Sequence, residues 1–312
     1  MHNRFMRLTA LILSAVVLLF SILLAGCGRT RGSRTGDATN DGAGDGLNIV
    51  TSFFPVYVAV INVTQDVTGV TVTNMTEPQT GCLHDYVLRP QDLRMLEDAD
   101  IFIINGAGME AFLDDVTARK KDLKIIEAAE GIPLLSEEDG EENPHVWVSL
   151  TNAVPYVKNI AAQLSEADKD NAALYEKNAA EYIGKIEELS REMHSNIDSL
   201  KNREIITFHE AFPYFAQEFD LNIAAVVERE PGTEPTQKEL VDIIEIVNQT
   251  GIKALFAEPQ YSSGAAEIIA AETGAMLYTL DPVVTGEAVP DAADAYLDAM
   301  RRNMETLMEA LQ

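Results

Sequence analysis

The chain has 312 residues, with 23 Lys and Arg against 50 Asp and Glu, so its formal net charge is −27. A surface this acidic repels phosphate backbones, which excludes a nucleic-acid-binding protein and favours cations as partners. The 46% hydrophobic content excludes wholesale disorder, and the length suffices for two cores of ordinary size.

The first residues have the pattern of a secretory signal. Residues 1–26 begin with a basic stretch, continue with an apolar run over residues 8–24 and end in small residues. The sequence Ala25-Gly26-Cys27 resembles a bacterial lipobox, in which the Cys is lipidated and becomes the new N-terminus. An uncleaved membrane anchor is the alternative, because the apolar run is long enough to span a bilayer. Either interpretation exports the rest of the chain.

A flexible tether is predicted after the signal, at residues 27–46. This stretch is rich in Gly and holds no large apolar side chain after Cys27, so it cannot bury enough surface to offset its ordering entropy. We expect the folded body to begin near Leu47.

From there, short β-branched runs alternate with amphipathic helical patterns. Strands are predicted at Asn48–Phe53, Val70–Thr76, Ile101–Asn105, Lys124–Glu127, Glu204–Phe208, Asn222–Val227, Lys253–Ala257 and Ala275–Leu280. Helices are predicted at about 55–68, 90–99, 107–119, 210–219, 235–250, 263–273 and 290–311. Such alternation is typical of parallel sheets with crossover helices. The pattern therefore predicts an α/β protein with two lobes, each a mostly parallel four-stranded sheet flanked by helices.

A segment with a helical sequence pattern separates the two lobes. Residues 166–200 are rich in helix formers, and their apolar residues fall mostly at three- and four-residue steps. We therefore predict an N-terminal lobe at 47–165, a long rigid linker helix at 166–200 and a C-terminal lobe at 201–312. One helix of this length would be about 50 Å long. The alternative is two helices broken near Gly184, since Gly lowers helix stability by about 1 kcal/mol.

Histidines carry the best signal for chemistry. His209 and Asp281 each directly follow a predicted strand, His84 lies in the connection after another, and His145 stands just before a helix start. Ligands of open α/β sheets bind beyond the carboxyl ends of the strands. Each lobe can thus present two groups to one cleft, and three imidazoles with one carboxylate suit zinc. His194, inside the long helix, is interpreted as a solvated surface residue.

Five fragments extend this interpretation. They are G-x-x-His-Asp-Tyr around His84, Asn-Pro-His-Val-Trp around His145, His-Glu-Ala-Phe-x-Tyr-Phe from His209, Glu-Pro-Thr at 234–236 and Leu-Asp-Pro at 280–282. In this order they resemble the zinc- and manganese-specific solute-binding lipoproteins of bacterial ABC transporters, the cluster A-I type, and among these the zinc-uptake subfamily. The resemblance covers nearly the whole chain after the tether. It implies two α/β lobes joined by a long helix, with the metal between them.

The resemblance also implies a ligand set and a role. His84, His145, His209 and Asp281 match the four metal ligands of the family. Members with His at the third position commonly bind zinc and those with Glu manganese, so Zn²⁺ is expected and Mn²⁺ is the alternative. Glu258 is an alternative carboxylate to Asp281. Glu258 and Glu210 are also expected to orient the metal ligands without binding the metal themselves.

The implied protein is an extracytoplasmic, lipid-anchored receptor and not an enzyme. It is expected to be a monomer that captures Zn²⁺, delivers it to an ABC permease and reaches the membrane through the lipid on Cys27. A surface adhesin and a siderophore-binding protein are less favoured alternatives. No hydrolase motif is present, and four protein ligands would close the site to a catalytic water.

Two features depart from the family pattern. Cys82 precedes His84 by two residues, and we interpret it as a small packed residue, with a soft fifth ligand or a redox-sensitive thiol as alternatives. Many zinc-binding members have a His-rich loop before the second ligand, whereas this chain has the acidic run 137–142, interpreted as a solvated loop.

Overall fold

The computed structural model describes residues 46–84, 86–136, 140–227, 235–260 and 264–312. The predicted signal at 1–26, the predicted lipidation at Cys27 and all but the last residue of the predicted tether lie outside these ranges, as do residues 137–139 of the acidic run. Among the helices that the structure describes, none combines the length and the apolar composition needed to cross a bilayer.

The N-terminal sheet has four parallel strands in the order β2-β1-β3-β4. Their bounds are β1 Leu47–Thr51, β2 Val70–Asn74, β3 Ile101–Ile104 and β4 Lys124–Glu127, and the helices of this lobe are α1 Phe54–Val63, α2 Pro90–Glu97 and α3 Leu113–Arg119. All four residues of β3 are buried. A central strand that is covered on both faces has a continuous apolar sequence, and β3 has one.

Two helices follow, α4 Leu150–Ala167 and α5 Ala172–Ile197. The predicted linker helix is therefore right in type but begins later than expected, and its first residues end α4 instead. Asp168 explains the break, because its carboxylate accepts hydrogen bonds from Asn171 Nδ2 and Tyr175 Oη, both at 2.7 Å, and so fixes a turn. With 26 residues, α5 is about 39 Å long and continues through Gly184 without a break.

The C-terminal sheet repeats the first in its topology, with parallel strands in the order β6-β5-β7-β8. Its strands are β5 Glu204–Thr207, β6 Asn222–Val226, β7 Ala254–Ala257 and β8 Met276–Thr279, and its helices are α6 Pro213–Glu218, α7 Gln237–Thr250, α8 Gly264–Thr273 and α9 Ala295–Ala310. The predicted α/β architecture of two four-stranded parallel sheets is confirmed.

The apolar core is unevenly divided between the lobes. One continuous cluster contains buried side chains of the N-terminal sheet, α4, α5 and α9, and it extends into the C-terminal lobe through residues such as Phe212, Phe215 and Phe256. A smaller cluster around Ile206, Leu255 and the inner face of α7 belongs to the C-terminal lobe alone. The lobes are therefore joined by shared packing and not by α5 only.

Two exposed glycines test the helix assignments. Gly184 lies inside α5 with open space at its Cβ position, so Gly184→Ala should raise the free energy of unfolding by about 1 kcal/mol. Gly251 also has open space but ends α7 with a φ of 72°, so Gly251→Ala should lower that free energy by about 1–2 kcal/mol. Urea unfolding of both variants measures the two effects, and equal signs would contradict the assignment.

Candidate metal centre

The central strands of the C-terminal sheet bring two buried side chains together. His209 comes two residues after β5 and Glu258 comes directly after β7, and these strands are neighbours in the sheet. The carboxyl ends of neighbouring parallel strands meet at one edge. His209 Nδ1 accordingly lies 3.3 Å from Glu258 Oε1, with the two residues only 2% and 3% exposed. A carboxylate on Nδ1 orients the imidazole and leaves Nε2 to bind a ligand.

The segment carrying His145 is fixed by the carboxyl end of β3. Asn105, next along the chain from β3, donates a hydrogen bond from Nδ2 to the Pro144 carbonyl at 3.0 Å. His145 itself is 1% exposed, and its ring packs against Trp147 with 5.3 Å between ring centroids. A 3₁₀ turn at Val146–Val148 then leads to the Ser149 side chain, which caps α4 by accepting from the Asn152 N–H.

Asn143 connects this segment to the other lobe. Its Oδ1 accepts from the His145 N–H at 2.9 Å and lies 3.1 Å from His145 Nδ1. This contact favours the proton on Nδ1 and leaves Nε2 with its lone pair. On the other side, Asn143 Nδ2 donates to the Glu210 carbonyl at 2.7 Å, and Tyr214 Oη donates to the Asn143 carbonyl at 2.6 Å. One amide thus orients His145 and holds the residue that follows His209.

Glu210 accordingly acts through its backbone in this contact, whereas Glu258 contacts His209 with its side chain. His194 lies elsewhere, on α5, with its side chain 37% exposed and its Nδ1 3.1 Å from Asp198 Oδ1.

His84 completes the cluster, together with Cys82, which the sequence suggests is a small packed residue. The ligand-type atoms of Cys82, His84, His145 and His209 all lie within 4.8 Å of one another. Cys82 Sγ is 3.3 Å from His145 Nε2, and the ring of His145 lies 5.4 Å from that of His84 and 4.8 Å from that of His209. The buried Leu83 between Cys82 and His84 anchors the loop, its N–H donating to Met109 Sδ at 3.4 Å.

Asp281 is the predicted ligand that the structure does not bring to this cluster, as far as its described residues extend. Its Oδ1 accepts from the Val283 N–H at 2.8 Å, and its Oδ2 lies 3.6 Å from Arg302 Nη2 on α9. Burial raises the pKa of the Asp281 carboxyl, and the Val283 N–H and Arg302 oppose that shift. The Asp281 backbone is held by Asn303, which donates to its carbonyl and accepts from its N–H.

Electrostatics separate the two most buried histidines. Burial holds the pKa of His145 well below its ordinary value, and the charges of His209 and His84 lower it further. Burial also acts to lower the pKa of His209, but Cys82 and Glu258 outweigh it and hold that pKa well above its ordinary value. The part of the cluster around His209 therefore favours positive charge, because Cys82 and Glu258 act on it there.

Chemically, three imidazoles and one thiol within such a small volume are the donors of a borderline or soft transition-metal ion. An oxygen faces Nδ1 in two of the three imidazoles, Asn143 Oδ1 at 3.1 Å from His145 and Glu258 Oε1 at 3.3 Å from His209. An oxygen facing one ring nitrogen, with the other nitrogen left for the ion, is typical of histidines that bind metal.

Comparison with known proteins agrees with this chemistry. The family profile described as "Zinc-uptake complex component A periplasmic", ZnuA, matches residues 49–310. The chain is 31% identical to the high-affinity zinc uptake system protein ZnuA of Bacillus subtilis over 309 residues, covering 93% of this chain and 94% of the relative. It is 27% identical to the manganese-binding lipoprotein MntA of Halalkalibacterium halodurans, covering 96% and 97%.

A solved structure has a fold similar to that of this chain. The structure described as "Crystal structure of ZnuA" superposes with a TM-score of 0.76 at 29% identity, covering 86% of this chain and all of that one. Because the family profile spans nearly all of the described residues, the chain belongs to the ZnuA family of zinc-uptake solute-binding proteins.

Proposed function

We propose that this protein captures Zn²⁺ outside the cytoplasm and delivers it to the permease of an ABC transporter. The observation that carries the proposal is the convergence of His84, His145 and His209, which lie far apart in the sequence, on one small volume. Each lobe contributes to this volume, so a metal ion held there is bound by both lobes.

Zinc is favoured by the donor type. Imidazole suits the borderline Zn²⁺, whereas Mn²⁺ prefers carboxylates and water. Manganese is the second candidate, because one relative similar over nearly its whole length is named a manganese-binding lipoprotein. The fourth ligand expected from the sequence, Asp281, stays a prediction, since its carboxylate lies with Arg302 and Val283.

A binding role fits the cluster better than a hydrolytic one. A zinc hydrolase places a carboxylate or other base beside the metal-bound water. Here the carboxylate nearest to His209 in the described residues, Glu258, contacts the far nitrogen Nδ1 and also accepts from Gln260 Nε2 at 2.6 Å. Its role is therefore to orient an imidazole, which supports capture and release of an ion without catalysis.

We also propose that the protein acts as a monomer, anchored to the outer face of the cell membrane by a lipid on Cys27. The lipobox-like Ala25-Gly26-Cys27 supports the anchor, and so does the name lipoprotein carried by the relative MntA. The permease partner is inferred from the zinc-uptake complex named in the family description.

The zinc site is tested by removing one imidazole. His209→Ala should lower zinc affinity by about 100-fold, one ligand's share in a four-ligand site, in equilibrium dialysis with Zn²⁺ and Mn²⁺ offered together. His194→Ala is the matched control, because His194 lies on α5 and pairs with Asp198. Unchanged zinc binding in the first variant, or retention of Mn²⁺ alone by the unaltered protein, would refute the zinc assignment.

The role of Glu258 is tested by a change of charge without a change of shape. Glu258→Gln keeps an oxygen for His209 Nδ1 but removes the negative charge, so zinc affinity should fall by about 10–100-fold. Glu245→Gln on the exposed face of α7 is the control and should leave affinity unchanged. Isothermal titration of both variants measures the difference, and equal affinities would mean that Glu258 does not tune the site.

The anchor is tested at the predicted acceptor. Cys27→Ser should abolish labelling with a fatty acid and leave the protein either uncleaved or released from the membrane, because the acceptor thiol is gone. Metabolic labelling followed by cell fractionation gives the result. A labelled Cys27→Ser variant would show that another residue carries the lipid.

A further inference from the structure

The cluster contains one donor that the expected ligand set leaves out. Cys82 Sγ lies 3.3 Å from His145 Nε2, and it belongs to the same group of atoms within 4.8 Å as the three imidazoles. Cys82 is partly buried and forms no disulfide. Its sulfur is thus positioned as the histidine nitrogens are, in the volume where the ion would be held.

The spacing of these atoms is close to that of a tetrahedral zinc site. Zn–S bonds of about 2.3 Å and Zn–N bonds of about 2.0 Å place neighbouring ligand atoms roughly 3.3–3.6 Å apart at tetrahedral angles. The distance of 3.3 Å between Cys82 Sγ and His145 Nε2 is already near that value. The most distant pair, at no more than 4.8 Å, needs to approach by at most about 1.5 Å.

The two carboxylates that could compete for the same position are engaged. Asp281 accepts from the Val283 N–H and faces Arg302. Glu258 lies behind His209, on the nitrogen that points away from the metal-binding one. Three imidazoles leave one position of a tetrahedral site, and the fourth ligand-type atom of this cluster is sulfur.

We propose that Cys82 is the fourth ligand of the bound ion and the residue that sets its preference for zinc over manganese. This inference rests on the proposed function and deepens it. On binding, a Zn–S bond forms and the S–H bond breaks, with the proton passing to solvent, because the thiolate is the form that binds metal. Sulfur stabilises Zn²⁺ and is a poor donor for Mn²⁺, so the exchange of a carboxylate for a thiolate separates the two metals.

Cobalt provides a direct test of the bond. Purified protein loaded with Co²⁺ should show the intense near-ultraviolet band of sulfur-to-cobalt charge transfer, which nitrogen and oxygen ligands do not give. Cys82→Ser should lose the band, whereas Cys27→Ser, at the other cysteine of the chain, and Asp281→Asn should keep it. Absence of the band from the unaltered protein, or its persistence in Cys82→Ser, overturns the proposal.

Affinity provides the test of selectivity. Cys82→Ser should lower zinc affinity by about 100-fold. Cys82→Asp should lower the ratio of zinc to manganese affinity by at least about tenfold, because it returns a carboxylate to the site. Circular dichroism of the metal-free variants checks that they fold. Unchanged affinity in the first variant and an unchanged ratio in the second both count against Cys82.

Protection of the Cys82 thiol by zinc can be measured on the unaltered protein. Zinc should slow the alkylation of Cys82 by iodoacetamide, because the coordinated sulfur no longer attacks. Zinc that binds without protecting Cys82 overturns the proposal about the fourth ligand and leaves the proposed function intact. A protein that binds no zinc at all overturns the proposed function itself, so the two failures are distinguishable.

Discussion

Parallel strand pairing decides where the functional groups of this protein lie. Parallel strands end at the same edge of a sheet, so the residues after the central strands meet there. In the C-terminal lobe this edge pairs His209 with the buried Glu258. In the N-terminal lobe the connection after β3 brings buried Glu110 to this edge, where its Oε1 accepts from Ser52 Oγ and the Asn105 N–H, both at 2.8 Å. Burial raises the pKa of Glu110 to about 7 despite these donors. The two lobes thus each place a buried carboxylate near this edge, beside an imidazole in one lobe and within loop structure in the other.

Charge balance explains how a divalent ion can be held by such buried groups. An unpaired charge in a protein interior is costly, and opposite charges nearby reduce that cost. With the ligand set proposed here, the two positive charges of Zn²⁺ are matched by the Cys82 thiolate and the Glu258 carboxylate, while the three imidazoles stay neutral. The overall negative charge of the chain, −27, adds a long-range attraction for cations that precedes these short-range contacts.

Much of the fold could be predicted from the sequence because it depends on local patterns. The alternation of strand and helix signals is periodic, and the position of His209 after a strand follows from that alternation. What could not be predicted depends on side chains that meet only in the folded chain. Asp168 shortens the linker helix through hydrogen bonds to Asn171 and Tyr175. Cys82 reaches His145 across the fold, and Asp281 lies with Arg302 because α9 brings that guanidinium there. No spacing rule in the sequence encodes these contacts.

The continuous apolar core has a consequence for how quickly the ion can leave. Side chains of both lobes, α4, α5 and α9 pack in one cluster, so opening the lobes as rigid bodies would expose apolar surface on many elements together. The ligand-bearing segments around Cys82 and His145 lie on connections between elements, but buried Leu83 and Trp147 pack them into the same core. Loop movements occur in nanoseconds to microseconds, whereas collective domain motions take microseconds to milliseconds. Because the ligand-bearing segments pack into the shared core, release of the ion should follow the slower collective motion of that core and not independent movement of the loops.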